Sequence, residues 1–333
     1  MTDNVTSTAH SAQIAREVRT RFANNPLCSL FGTQLPFIQA GMVWVSGSKL
    51  AAAASETGCL GLVGAGSMKP DLLREHLRAI RTLTSKPFGV NVPLLYHDVE
   101  AQVAVALEEG VRVFFTSAGS PKTFTARLKA QGCVVVHVAS TPALALKCQD
   151  AGVDAVVVEG FEAGGHNGRD ELTTLVLLQQ LQGRLSIPLI AAGGFGSGAS
   201  LVAAFALGAQ GVQIGTLFAA TRESSAHPAF KEAMTRAGET STFLRLKKHV
   251  PVRLLENDFA RSVAEAEARG APREELESLL GKGRARRGMH EGDLTEGELE
   301  VGQIVSEVRD VPSCAELVDR LLAEYALACS RIP

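Results

Sequence analysis

Short apolar runs, each closed by glycine or proline and followed by a stretch of helical periodicity, recur along the chain from residue 36 onward. Runs that are apolar at successive rather than alternate positions read as strands buried on both faces. Eight are visible: Pro36–Ala40, Leu60–Gly64, Phe88–Val92, Val113–Ser117, Val134–Val138, Ala155–Gly160, Pro188–Gly193 and Gly211–Thr216. The segments between them, DLLREHLRAIRTL and VEAQVAVALEE among others, repeat apolar residues at helix spacing, and several close on a glycine as helix ends do. Eight strands alternating with helices imply a parallel sheet with right-handed crossovers. A doubly wound open sheet is the rival. The count of eight, and the lack of GxGxxG after the first strand, favour an α/β fold closed as a (β/α)8 TIM barrel.

The rhythm breaks after Thr216. Residues 1–35 then read as a helical lead-in, 36–222 as the barrel and 223–300 as a helical and loop excursion over the active-site mouth. Residues 301–333 read as a C-terminal segment and amphipathic helix packing on the barrel. Within the excursion, residues 240–290 are charged and read as solvated helix, and the basic run KGRARR as a surface face rather than an anion patch.

Composition narrows the function classes. The 333 residues are 46% hydrophobic and 20% charged, with a formal net charge of -2, so no basic excess points to nucleic acid. The N-terminal stretch has no apolar core of the signal-peptide kind, and no apolar run reaches the length of a membrane helix. Six scattered cysteines, without zinc spacing and mostly inside apolar runs, predict reduced thiols and a cytoplasmic address.

In a barrel of this kind the chemistry sits at the C-terminal strand ends. No lysine ends a strand, which disfavours a Schiff-base aldolase, and no His and carboxylate cluster has metal spacing, so no metal site is expected. What remains is glycine, amide and hydroxyl groups with one histidine, a lining suited to something large, polar and flat. AAGGFGSG follows the seventh predicted strand and IGT the eighth. Glycines there bare main-chain N–H groups, and those two loops are the usual phosphate site of such barrels.

The stretches PFIQAGMVWVSGSKLAAAASETGCLGLVGAGS, KPFGVNVPLL, SAGSP, VVVEGFEAGGHNG, IPLIAAGGFGSG and GAQGVQIGTLF span the whole barrel, with EGELEVGQI beyond it. Together they resemble the nitronate monooxygenase (2-nitropropane dioxygenase) family of FMN-containing barrels, and are close to the FMN-dependent enoyl-ACP reductases. The resemblance implies FMN, with Gly41 and Met42 against the ring, Asn91 bonded to it and Glu159 facing the ribityl chain. Gly164, Gly165, Gly193, Gly194, Gly215 and Thr216 would hold the phosphate end, leaving His166 beside the flavin where substrate sits. A flavin performs the redox step, so the protein supplies orientation and a proton-transfer group near neutrality. His137, inside an apolar run, reads as a satisfied near-core histidine; Met42 reads as a flavin-side wall, and Trp44 is left open.

The resulting expectation is a nitronate monooxygenase oxidising alkyl nitronates with O2, with a small-molecule substrate and neither nucleic-acid nor membrane partner. The alternatives are an enoyl-ACP reductase using NAD(P)H and partnered by an acyl carrier protein, an NAD(P)H:quinone reductase, and a non-catalytic barrel binding a phosphorylated ligand. An acidic carrier calls for a basic entrance, for which KGRARR and RLKKH are the candidates. The oligomeric state is open, a homodimer being one option. GMVWVSG and SAGSP look closer to the reductases, whereas Val138 and Leu217 stand where some relatives carry lysine and arginine.

Overall fold

In the computed structural model, which describes residues 13–331, eight parallel strands close into a barrel. They are β1 (Phe37–Gln39), β2 (Leu60–Gly64), β3 (Phe88–Pro93), β4 (Val113–Ser117), β5 (Val134–Ala139), β6 (Ala155–Glu159), β8 (Leu189–Ala192) and β9 (Gly211–Ile214). The chain is a (β/α)8 barrel. The continuous apolar runs are explained by burial on both faces. Phe115, Val136, Val157 and Ile190 point inward to fill the barrel, while their neighbours Phe114, Val135 and Val156 pack outward beneath the helices. The short helix Pro26–Phe31, capped by the Asn25 side chain, inserts Leu27 and Phe31 into the barrel's interior cluster.

Register decides which residues meet at the mouth. Gln39 lies opposite Ile214, Gly64 opposite Asn91, and Glu159 opposite Ala192, so the C-terminal halves of neighbouring strands stand side by side.

The excursion departs from expectation. Helices Asp258–Ala268 and Arg273–Leu280 are present, but residues 240–290 are not helical throughout. An antiparallel hairpin, β10 (Thr242–Arg245) and β11 (Val252–Leu255), precedes them. The far edge of β11 pairs with β7 (Gly165–His166), a two-residue strand inside what the sequence presents as a flexible loop. Alternation in TFLR and VRLL was masked by the surrounding charge. The hairpin and the two helices share a small core of Leu246, Val252, Leu254, Phe259, Val263 and Leu276.

The C-terminal helix Cys314–Ser330 begins on a Ser313/Glu316 capping box. Its Glu324 accepts from the Gly198 N–H at 2.9 Å, at the start of the helix that follows β8. The lead-in lies partly outside the described residues. Its Phe22 ring stands 5.5 Å from both Phe205 and Tyr325, joining the two ends of the described chain. All six cysteines are free thiols and five are buried. Among the described residues no helix is long and apolar enough to cross a membrane.

Candidate active site

The strand ends surround a cavity of about 600 Å³. Gly41, Met42, Asn91, Glu159, Gly164, Gly165, His166, Gly193, Gly194, Gly215 and Thr216 all line it. Each is placed there by specific contacts. After β1 the chain turns back through Ala40–Ser46. The Ser46 hydroxyl receives the Met42 N–H at 3.0 Å and donates to the Ala40 carbonyl at 2.9 Å. Asn91 Nδ2 donates to the Gly41 carbonyl at 3.0 Å, and a Cβ on Gly41 would lie 2.4 Å from Asn91 Cβ. Gly41 is therefore required by the approach of Asn91, and one side of the Asn91 amide is already engaged with protein.

At the opposite wall, Gly193 and Gly194 adopt left-handed φ of 91° and 81°. The main-chain N–H groups of Gly193, Gly194 and Gly215 donate no main-chain hydrogen bond among the described residues. Three bared donors on adjacent loops form a cradle suited to an anion. Glu162 lies beside it, but both its oxygens accept from the Thr174 N–H, at 3.0 and 3.1 Å. Burial also raises its pKa, which weakens its negative potential toward the cradle.

His166 is exposed, and the surface it exposes is cavity wall. Enough protein surrounds it that desolvation lowers the imidazole pKa, with Glu298 pulling the other way. The loop carrying it is pinned from three sides. Arg253, 2% exposed, donates from Nε to the Phe161 carbonyl at 2.8 Å. The Gln303 N–H bonds the Glu162 carbonyl at 2.9 Å, and the Asn167 N–H bonds the Pro251 carbonyl at 2.8 Å. Next to Gln303, the Gly302 N–H bonds Thr216 Oγ1 at 3.1 Å. A Cβ on Gly164 would stand 2.4 Å from the Val301 carbonyl carbon, so only glycine fits between the two segments.

Glu159 is pushed up to about 7 by burial. His137 lines the cavity floor but is 3% exposed, holds Thr116 Oγ1 at 2.6 Å through Nδ1, and is lowered to about 4 by burial. It is a neutral, hydrogen-bonded imidazole. Trp44 packs partly buried against the core, with φ 64°, and its ring meets the Arg286 guanidinium at 5.7 Å.

The sequence model of the nitronate monooxygenase family matches residues 24–102 and 96–324. The chain belongs to the nitronate monooxygenase family. It is 32% identical to a nitronate monooxygenase of Paraburkholderia phytofirmans, over 90% of this chain and 94% of that one. It is also 32% identical, over the same shares, to a (3aS,4S,5R,7aS)-5-hydroxy-7a-methyl-1-oxo-octahydro-1H-indene-4-carboxyl-CoA dehydrogenase of Rhodococcus jostii. The structure of FabK from Thermotoga maritima superposes with a TM-score of 0.89 at 38% identity, covering 93% of this chain and 98% of that one. The protein is thus an oxidoreductase of a flavin-dependent family, acting on small molecules.

Several residues of this nitronate monooxygenase-family site escaped sequence reasoning. Gln213 is 9% exposed and faces the cavity, from the middle of an apolar run that hid it. Glu300, Tyr96 and Met289 reach the cavity from loops whose destination only the fold reveals. Most cations of the basic runs proposed as an entrance are partnered within the protein. Arg284, Arg286 and Arg287 pair with Glu296, Glu291 and Asp293, and Lys247 pairs with Glu171. Leu217 is buried in the core and does not line the cavity.

Proposed function

We propose that this chain is an FMN-dependent oxidoreductase that takes electrons from NAD(P)H and acts on an acyl thioester. The observation that carries the reading is the division of the cavity. Bare N–H donors stand at Gly193, Gly194 and Gly215, His166 stands on the wall, and exposed apolar side chains, Leu95 at 48% and Leu144 at 41%, form the rim. Such a lip favours a substrate with an apolar acyl body. The kinship with a CoA-ester dehydrogenase and with FabK supports the same substrate class.

The three glycine N–H groups fit the phosphate of FMN, Gln213 and the free side of the Asn91 amide fit its ring edge, and Met42 fits its face. FMN supplies the two-electron chemistry when bound. The protein's own contribution is orientation and proton handling. His166, held neutral by its surroundings, donates its ring N–H to the acyl carbonyl oxygen, and the rim excludes water from the reacting carbon. The partnered state of KGRARR and RLKKH favours a free CoA-type ester over one carried by an acidic protein.

Nitronate oxidation with O2 is the second reading, favoured by the family match and the Paraburkholderia relative. Anaerobic mixing separates the two. Bleaching of the flavin band near ~450 nm by NAD(P)H, restored by an enoyl thioester, is the expected result. Bleaching by a nitronate alone, with no response to NAD(P)H, overturns the thioester reading. Turnover of quinones only would assign a quinone reductase, and a colourless protein without redox activity a binding barrel.

A further inference from the structure

The segment Glu298–Val301 enters the site as extended chain, bridged antiparallel at Glu300 to Leu254. Side chains of an extended chain alternate in direction. Leu299 and Val301, each 2% exposed, pack into the apolar core. Glu298 and Glu300 point the other way, toward His166 and Tyr96. Glu300 lines the cavity, and its carboxylate rests on the loop that carries His166, since a methyl group on Gly165 would lie 2.6 Å from Glu300 Oε2.

Glu298 stands behind it at 6% exposure. Among the described residues neither carboxylate receives a hydrogen bond from a protein donor. Arg284, the cation acting on Glu298, donates instead to the carbonyls of Leu279, Leu280 and Glu296. Two neighbouring acids without donors cannot both ionise readily at low local dielectric. Burial pushes both well above the usual carboxylate range, and the charge of Glu300 raises Glu298 further. The groups facing the pair are His166 from β7, Tyr96 from the loop after β3, and Arg284 behind Glu298.

We infer that Glu298 and Glu300 form a buried acid pair that selects substrate by charge, Glu300 offering a hydrogen bond to a neutral acceptor seated beside His166 while the pair opposes an anion there. The inference rests on the cavity being the substrate site of the reading above. It deepens that reading by making the preference for a neutral thioester over an anionic nitronate a property of two named residues. As pH rises and the pair loses its proton, the bias against anions grows.

The test uses the flavin-loaded enzyme, the nitronate of nitroethane and crotonyl-N-acetylcysteamine as probes, and dissociation constants from calorimetry between about pH 6 and about pH 9. Wild type is expected to lose nitronate affinity on the order of tenfold as pH rises, and thioester affinity far less. Glu300→Gln, which keeps a donor and removes the charge, is expected to abolish that trend and tighten nitronate binding on the order of tenfold at the high-pH end. Glu298→Gln, and the infrared band of a protonated carboxyl in wild type, give independent readouts should Glu300→Gln fail to fold. Nitronate affinity in wild type that is independent of pH overturns the pair, as does an unchanged nitronate-to-thioester ratio in a folded Glu300→Gln. A wild type that ignores the thioester yet loses nitronate affinity with rising pH overturns the thioester reading and upholds the pair.

Discussion

Replacing Gly164 by alanine tests whether the cavity depends on the contact between the His166 loop and the C-terminal segment. The added Cβ would lie 2.4 Å from Val301 C, 2.5 Å from Gly302 N and 2.6 Å from Val301 Cα. All three are main-chain atoms, so no side-chain rotation relieves the clash and the segments must separate by roughly half an ångström. Overpacking of this kind costs about 1–3 kcal/mol, and rigid neighbours place it at the upper end. Alanine narrows the unfolded ensemble, which returns about 0.4–1 kcal/mol. The net is about 2 kcal/mol. An unfolding entropy of ~2.1 cal/mol/K per residue over 333 residues makes that a melting-temperature drop of about 3 °C. The separation falls between Gly165 on one side and Gly302, which bonds Thr216, on the other. Flavin retention should therefore drop by about tenfold or more, since misplacements of this scale are costly in a preorganised site. Gly132→Ala is the control. Its φ of 71° is strained for alanine, at about 1–2 kcal/mol, but nothing lies within 4 Å of the new Cβ. It should melt lower by a similar amount yet stay yellow. Thermal melts and flavin absorbance per protein decide the matter. A Gly164→Ala protein that melts within a degree of wild type with full flavin would refute the argument.

Stability should fall as pH rises through neutrality, because Glu159, Glu298 and Glu300 hold protons in the folded state that the unfolded chain has already released. Urea unfolding near pH 6 and pH 8.5 measures the slope; Glu298→Gln should flatten it, and an equal slope in the variant contradicts the assignment. His137→Ala should destabilise by about 2–4 kcal/mol, through the cavity and the loss of the short Thr116 hydrogen bond, while the activity profile above pH 6 keeps its shape. Movement of its acid limb would instead make His137 part of the chemistry. Arg253→Met removes the donor that holds the Phe161 carbonyl, and should lower kcat about tenfold with flavin content unchanged. A variant with unaltered kcat, or one that loses flavin and turnover together, rules out that positioning role.

What the sequence revealed and what it hid divide along the range of the interactions involved. Barrel strands announce themselves because each is buried on both faces, so its apolar run is continuous whatever it pairs with. From the count of eight, closure follows, and with it the convergence of strand ends that brought Gly41, Asn91, Glu159, His166, Gly193 and Gly215 to one cavity. The pairing of β7 is of another kind. His166 finds Val252, a partner 86 positions along the chain, and no local pattern in EAGGHNG encodes it. Nor does charge alone reveal burial. Glu298 and Glu300 stand in EGDLTEGELEVGQ, which reads as a glycine-punctuated loop until Leu299 and Val301 are found in the core. Once those two apolar residues are anchored, the period of an extended chain leaves the acids only the opposite direction, and the return path of the segment turns that direction toward the His166 loop. The alternation was present in the letters, but its consequence depended on where the chain came back.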